Sequence, residues 1–213
     1  MGKFSVWFGG FLLISCVLLR LVAVRTYVIP DDDELSSSVA PSLSSGDLVL
    51  LWRFTDAAVG DLVVCRDPQD KSYDVIGRLI GKGRDNLEFR GANVSINGAR
   101  MDTEGACKES IVTLYHPTDG SEVEARCGME VIGGRTHKRA QAMGDDMYFQ
   151  DSEPEIVEVS HSTHFLLSDN RVFPYDSRTY GEIDWGDCPE MIFFRLWGVK
   201  GFTDAETRFT FIK

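Results

Sequence analysis

Hydrophobic and polar positions along this chain fall into two unlike regimes. From Phe4 to Leu19 (FSVWFGGFLLISCVLL) no charged residue occurs, and after Arg20 the apolar pattern resumes through Val24. That makes about 20 residues, the length a helix needs to cross a bilayer if the Arg20 side chain reaches out to the headgroups. Two readings are open: an uncleaved membrane anchor over residues 1–25, or a cleaved export signal. Lys3 suits the second as a basic leader, but Val22-Ala23-Val24 is a poor small-x-small cleavage site, so the anchor is carried forward. Arg20 and Arg25 lie on the far flank, so charge bias orients the segment only weakly. Either way, the expected place of the remaining chain is the extracytoplasmic side of the membrane.

Beyond residue 45 the period shortens to two. Short runs rich in Val, Ile, Leu and Phe recur: DLVLLWRF, DLVVCRD, YDVIGRLI, NLEFRG, NVSING, SIVTLYH, EVEARCGMEVIGG, EIVEVSHSTHFLLS and MIFFRLWGV. Gly, Asp, Asn and Pro separate them, as in all-β architectures. No long stretch after the first segment has a helical period, and no internal repeat is found. The pattern predicts a β-domain over 46–213, an acidic, serine-rich link over 26–45, and a polar loop or insertion over 137–155.

Composition narrows the function classes. Of 213 residues 43% are hydrophobic and 11% aromatic, enough for a packed core. The formal charge is −11; beyond residue 30, 19 basic residues face 33 acidic ones, a balance of −14. Such a surface repels phosphate backbones and anionic headgroups, so no nucleic acid is expected as a partner and any membrane contact must be hydrophobic. Cys107 and Cys127 flank two strands around a turn at Pro117–Gly120, close enough for a disulfide in an exported domain. Cys65 reads as a small core hydrophobe and Cys188 as unpaired. Asn93-Val94-Ser95 matches a glycosylation acceptor, a short motif with a high chance rate. GKGRD lacks the strand-to-helix context of a phosphate loop.

The order of several short motifs carries more. YVIP, then SVAPSLSSGDLVLL, resembles the membrane-proximal pattern of the type I signal peptidases, I-P-S-x-S-M-x-P-T-L followed by G-D. Ser38 then falls on the nucleophilic serine and Pro41 on the proline of that pattern. VGDLVVCRDP, IGRLIGKGRD and ANVSINGAR resemble the next boxes, and HFLLSDNRVFPYDSRTYGEI resembles G-D-N-R-x-x-S-x-D-S-R-x-W/Y-G-x-V. The resemblance covers nearly the whole chain. It implies a membrane-anchored, mostly antiparallel β-domain with coiled or partly barrel-like sheets, no cofactor and no metal. It also implies structural roles for Asp169, Asn170, Arg171, Asp176, Ser177 and Arg178, held by charge-assisted hydrogen bonds beside the site.

Members of that family use a serine–lysine dyad. A serine hydroxyl attacks only when a neighbour takes its proton, and a lysine does so only when burial keeps it neutral. At the lysine position this chain has Gly77. Arg78, next to it, stays protonated and accepts nothing. Lys71 lies about 20 Å away along a strand, and Lys82 belongs to the following turn. His161 and His164, on the strand entering Ser168-Asp169-Asn170, are the remaining candidate bases for Ser38. The stretch DDDELSS between Pro30 and Ser38 is longer than the family's spacing, Val39 stands for the methionine, and Ser168 for a glycine. Trp52 and Phe54 read either as core or as an apolar rim on the membrane.

Two functions from different classes follow from the resemblance. The first is a catalytically impaired relative that binds exported preproteins or surface-protein subunits in an extended groove, as lysine-lacking accessory factors of pilus assembly do. The alternative is an active serine endopeptidase that removes signal peptides, with Ser38 as nucleophile. A structural β-domain without a peptide groove is a third, weaker option.

Overall fold

Alternating burial along short strands decides the architecture. The computed structural model describes residues 2–54, 56–144 and 153–212. Helix α1 (Gly2–Val22) is followed by β1 (Val24–Val28), helix α2 (Asp33–Ser38), β2 (Leu48–Trp52), β3 (Leu62–Arg66) and β4 (Asp74–Lys82). Next come β5 (Asn86–Arg90), β6 (Asn93–Ile96), β7 (Ala99–Arg100), β8 (Asp102–Tyr115), β9 (Glu122–Ile132) and β10 (Arg135–Ala142). The chain closes with β11 (Glu155–Glu158), β12 (Thr163–Leu167), α3 (Ser177–Tyr180), β13 (Ile183–Asp184), β14 (Glu190–Trp197) and β15 (Thr210–Phe211).

The main sheet has the order β1-β2-β14-β3-β4-β12-β13, with β15 on β14, and smaller sheets have the orders β10-β9-β8 and β11-β5-β6-β7. Every named strand pair is antiparallel, so the mostly β expectation holds. Leu62 and Val64 of β3 pack on one face with Ile29, Leu43 and Ile76, while Val63 and Cys65 pack on the other with Val75, Leu79 and Leu166. A strand apolar on both faces must lie inside the sheet, and each fully buried aliphatic side chain contributes about 1.5–3 kcal/mol.

Several expectations are corrected. The stretch 26–45 is not a spacer: Val24–Val28 pairs with Leu48–Trp52 as β1, and Asp33–Ser38 is helical. The polar run expected as a loop begins inside β10, whose His137, Arg139 and Gln141 point inward and are buried; its residues 145–152 lie outside the described residues. Cys188 is not unpaired, and Cys65 is not a free thiol, for the two form a disulfide across 123 positions. Cys107 and Cys127, whose pairing the sequence leaves open, are bonded. The Asn93 side-chain oxygen faces the Arg139 guanidinium at 3.4–3.5 Å.

Trp7, Phe8, Phe11, Leu13 and Ile14 of α1 are exposed. Among the described residues no helix is long and apolar enough to cross a membrane, so the structure does not establish the expected anchor. A second apolar surface follows β14 and β15, where Phe54, Phe202, Phe209 and Phe211 are exposed and linked through ring contacts with Trp52, Phe193 and Phe194.

Candidate functional site

Ser38 ends α2, a helix that exists because Asp32 caps it. The Asp32 carboxylate accepts from the backbone N–H groups of Glu34 and Leu35 at 3.1 and 2.9 Å, satisfying donors a first turn leaves unpaired. Leu35 and Ser38, three apart, share one helix face. Leu35 packs on the apolar cluster around Val63, Leu79 and Leu166, and Ser38 is fully buried beside it.

The surface they meet is an interrupted strand edge. Strand β12 pairs with β4 only from Arg78 to Lys82, and the Leu79 N–H donates to Asp61 O at 2.9 Å, which turns Leu79 and Gly77 toward β3. The ladder's parity therefore points the Ile76 carbonyl outward, to where α2 lies. The Ser38 hydroxyl, with one proton, is shared between Leu35 O at 2.8 Å and Ile76 O at 3.3 Å. Both partners accept only. Among the described residues no amine or imidazole lies within hydrogen-bond distance of this oxygen.

Gly77, the next residue of β4, lacks a side chain for a steric reason as well. A Cβ there would stand 2.9 Å from Leu166 Cβ and 3.5 Å from Leu166 Cδ1, with Leu167 O at 3.6 Å. A lysine at this position thus needs β12 to move. The segment after β12 fixes that obstruction, because Ser177 Oγ accepts from the Leu166 N–H at 2.9 Å where the β4–β12 register slips.

The remaining box residues form a buried polar frame. Arg78 makes two 2.8 Å bonds to Asp169 and one of 2.6 Å to Gly60 O, with both charged side chains fully buried. Burial works against the Asp169 carboxylate, yet Arg78 and His137 outweigh it and hold the group below the usual carboxylate range. Asn170 clips the serine segment: its N–H donates to Ser38 O at 3.2 Å and its Nδ2 to Ser37 O at 3.0 Å. Arg171 reaches Ala92 O and Glu130, and Glu130 also holds Arg139 at 2.9 Å. Despite burial, these cations lower the Glu130 carboxyl below its ordinary value. Asp176 caps α3, accepts the Ser168 N–H at 3.0 Å and chelates Arg178, which lowers its carboxyl against burial.

The candidate bases are elsewhere. His164 pairs across from Lys82, six residues and about 20 Å along β4 from Ile76. Burial first, and Lys82 second, push its imidazole down to about 4. Both His164 and His161 lie beside Trp185. Lys71 pairs with Asp187 at 2.6 Å and Lys82 with Asp56 at 3.5 Å. Sequence reasoning missed three participants. Ser42 donates to Asp169, His137 sits between Glu130 at 3.3 Å and Asp169 at 3.6 Å, and Leu166 closes over Gly77. Nothing local in the sequence marks Leu166, and in β10 the inward residues His137, Arg139 and Gln141 are as polar as the outward Lys138, so no hydrophobic alternation marks the strand.

Comparison with known proteins agrees with this geometry. The family described as "Signal peptidase, peptidase S26" matches residues 6–197. The signal peptidase I of Aquifex aeolicus (strain VF5) is 33% identical over 198 residues, covering 80% of this chain and 75% of the relative. That of Rickettsia prowazekii (strain Madrid E) is 26% identical over 195 residues, covering 80% and 71%, and that of Bacillus caldolyticus is 23% identical over 208 residues, covering 94% and 93%. A serine seated on the β4 edge, the Arg78–Asp169 pair behind it and a match spanning both place the chain in the signal peptidase family, peptidase S26.

Proposed function

We propose that this chain is a catalytically impaired signal peptidase relative that binds exported polypeptides and holds them without cutting them. One observation carries the reading: the one proton of the Ser38 hydroxyl is shared between the carbonyl oxygens of Leu35 and Ile76, and the residue that follows Ile76 on β4 is Gly77, which brings no amine. Loss of a general base lowers a rate roughly 100- to 10,000-fold. Peptide recognition through strand edges and pockets uses none of that chemistry, so it survives the loss.

The membrane is the place where such a partner meets exported chains. An N-terminal anchor is supported by the uncharged run Phe4–Leu19, and the exposed rings of Phe54, Phe202, Phe209 and Phe211, beside β14 and on β15, offer a second apolar contact on the sheet that carries β1. A second reading, active signal peptide removal with Ser38 as nucleophile and a base supplied by another protein, is favoured by the seating of Ser38 against β4 next to Gly77.

The test incubates detergent-solubilised full chain with a preprotein carrying a photo-crosslinker, comparing it with Ser38→Ala. The expected result is crosslinking by both and cleavage by neither. Cleavage by the unsubstituted chain that Ser38→Ala abolishes overturns the impaired reading.

A further inference from the structure

Helix α2 has a second face. Asp33, Ser36 and Ser37 turn away from β4 and form one wall of a cavity of about 360 Å³, whose opposite wall is the end of β8, including Thr113 and Tyr115. Strand β8 is the outer strand of its sheet, and among the described residues only β9 pairs with it. The His116 N–H donates to Ser121 O at 2.9 Å. Antiparallel parity then directs the backbone of His116 and Leu114 toward β9 and that of Thr113 and Tyr115 outward.

An outward-facing backbone beside a cavity is the geometry of strand addition, in which main-chain bonds give affinity and pockets read alternate side chains. Charge selects the occupant. Asp33 lines the cavity, no lysine or arginine does, and Asp31, Asp32 and Glu34, its neighbours in the chain, are exposed. Beyond residue 30 the balance is −14.

We propose that the outer edge of β8 at Thr113 and Tyr115, with the cavity beside α2, binds an extended lysine- or arginine-bearing segment of an exported polypeptide by strand addition. The inference rests on the holding function above and assigns it a place distinct from the Ser38–β4 seat, which α2 itself covers.

The probe is a fluorescein-labelled hexapeptide of alternating lysine or threonine with valine, titrated by anisotropy into the full chain in detergent. Its controls are the same peptide with glutamate for lysine and with alternate amides N-methylated. Both controls are expected to bind at least tenfold more weakly. Thr113→Pro removes an outward N–H without breaking a β8–β9 bond, a change edge strands tolerate, and weakens binding about five- to tenfold. Asp33→Lys weakens it several-fold at low salt and less at high salt. Equal binding of the N-methylated peptide overturns the site without relying on any variant, as does unchanged affinity in folded Thr113→Pro. Preprotein crosslinking that Thr113→Pro leaves intact sinks this site alone, whereas no crosslinking by the unsubstituted chain sinks the holding function beneath it.

Discussion

Replacing Gly77 by alanine tests the contact that Leu166 makes over this residue, which the family resemblance puts at the dyad lysine. The added Cβ would lie 2.9 Å from Leu166 Cβ, closer than such carbons pack, within a fully buried cluster. Overpacking of this kind costs about 1–3 kcal/mol. Leu166→Ala removes Cδ1 but keeps the offending Cβ, so it should cost about 2–5 kcal/mol alone without relieving Gly77→Ala. Leu166→Gly removes the Cβ itself. On that background Gly77→Ala should be neutral or slightly favourable, because alanine restricts the unfolded chain more than glycine does. The coupling between Gly77→Ala and Leu166→Gly is then about 1–3 kcal/mol, and that with Leu166→Ala is near zero. Urea titrations of the full chain and the five variants in one detergent measure both cycles. Relief by Leu166→Ala equal to that by Leu166→Gly would refute the carbon-on-carbon argument, and a neutral Gly77→Ala in the unsubstituted chain would refute it outright. The same logic sets the condition for restoring a dyad: Gly77→Lys needs Leu166→Gly as well, with the lysine neutral from burial.

Other outcomes are equally concrete. Asp169→Asn leaves the buried Arg78 guanidinium without its counter-charge and should cost about 3–5 kcal/mol in urea unfolding, whereas Arg78→Met with Asp169→Leu should cost much less. His164 has a folded value of about 4 against 6.5 unfolded, so the unfolded chain binds the extra proton between them. Stability should therefore be full above pH 6.5 and decline as pH falls toward 4, a slope that His164→Phe removes from the stability–pH curve. Asp169, Asp176 and Glu130, all lowered in the folded state, contribute stability present above their unfolded values and lost on further acidification. Removing the Cys65–Cys188 bond by paired serine substitution should cost about 5 kcal/mol by loop entropy, against about 3 kcal/mol for Cys107–Cys127, since the first spans 123 positions and the second 20. Differential scanning calorimetry of both double variants ranks them, and a larger loss from the Cys107–Cys127 pair contradicts the loop argument.

The strands that alternation marked are present because their apolar faces are buried, β3 and β4 most clearly. Strand β10 escaped because its inward residues are His137, Arg139 and Gln141: the rule that apolar residues face inward fails where Glu130 and Asp169 receive cations. Helix α2 escaped because serine and aspartate runs favour turns as readily as a capped helix, and Asp32 decides between them only through geometry. That Gly77 brings no side chain was legible, since sequence states what a residue lacks. What fills the space, Leu166 from 89 positions away, belongs to tertiary packing, as does the bond between Cys65 and Cys188.

The place of β14 in the main sheet has a consequence for how the chain matures. Residues 190–197 insert between β2 and β3, whose partners were all synthesised far earlier. A polypeptide that appears from its N-terminus onward therefore carries two half-sheets with raw, sticky margins until its last strands emerge. Completion is one late zippering step, and a fragment ending before Glu190 is expected to clump rather than fold.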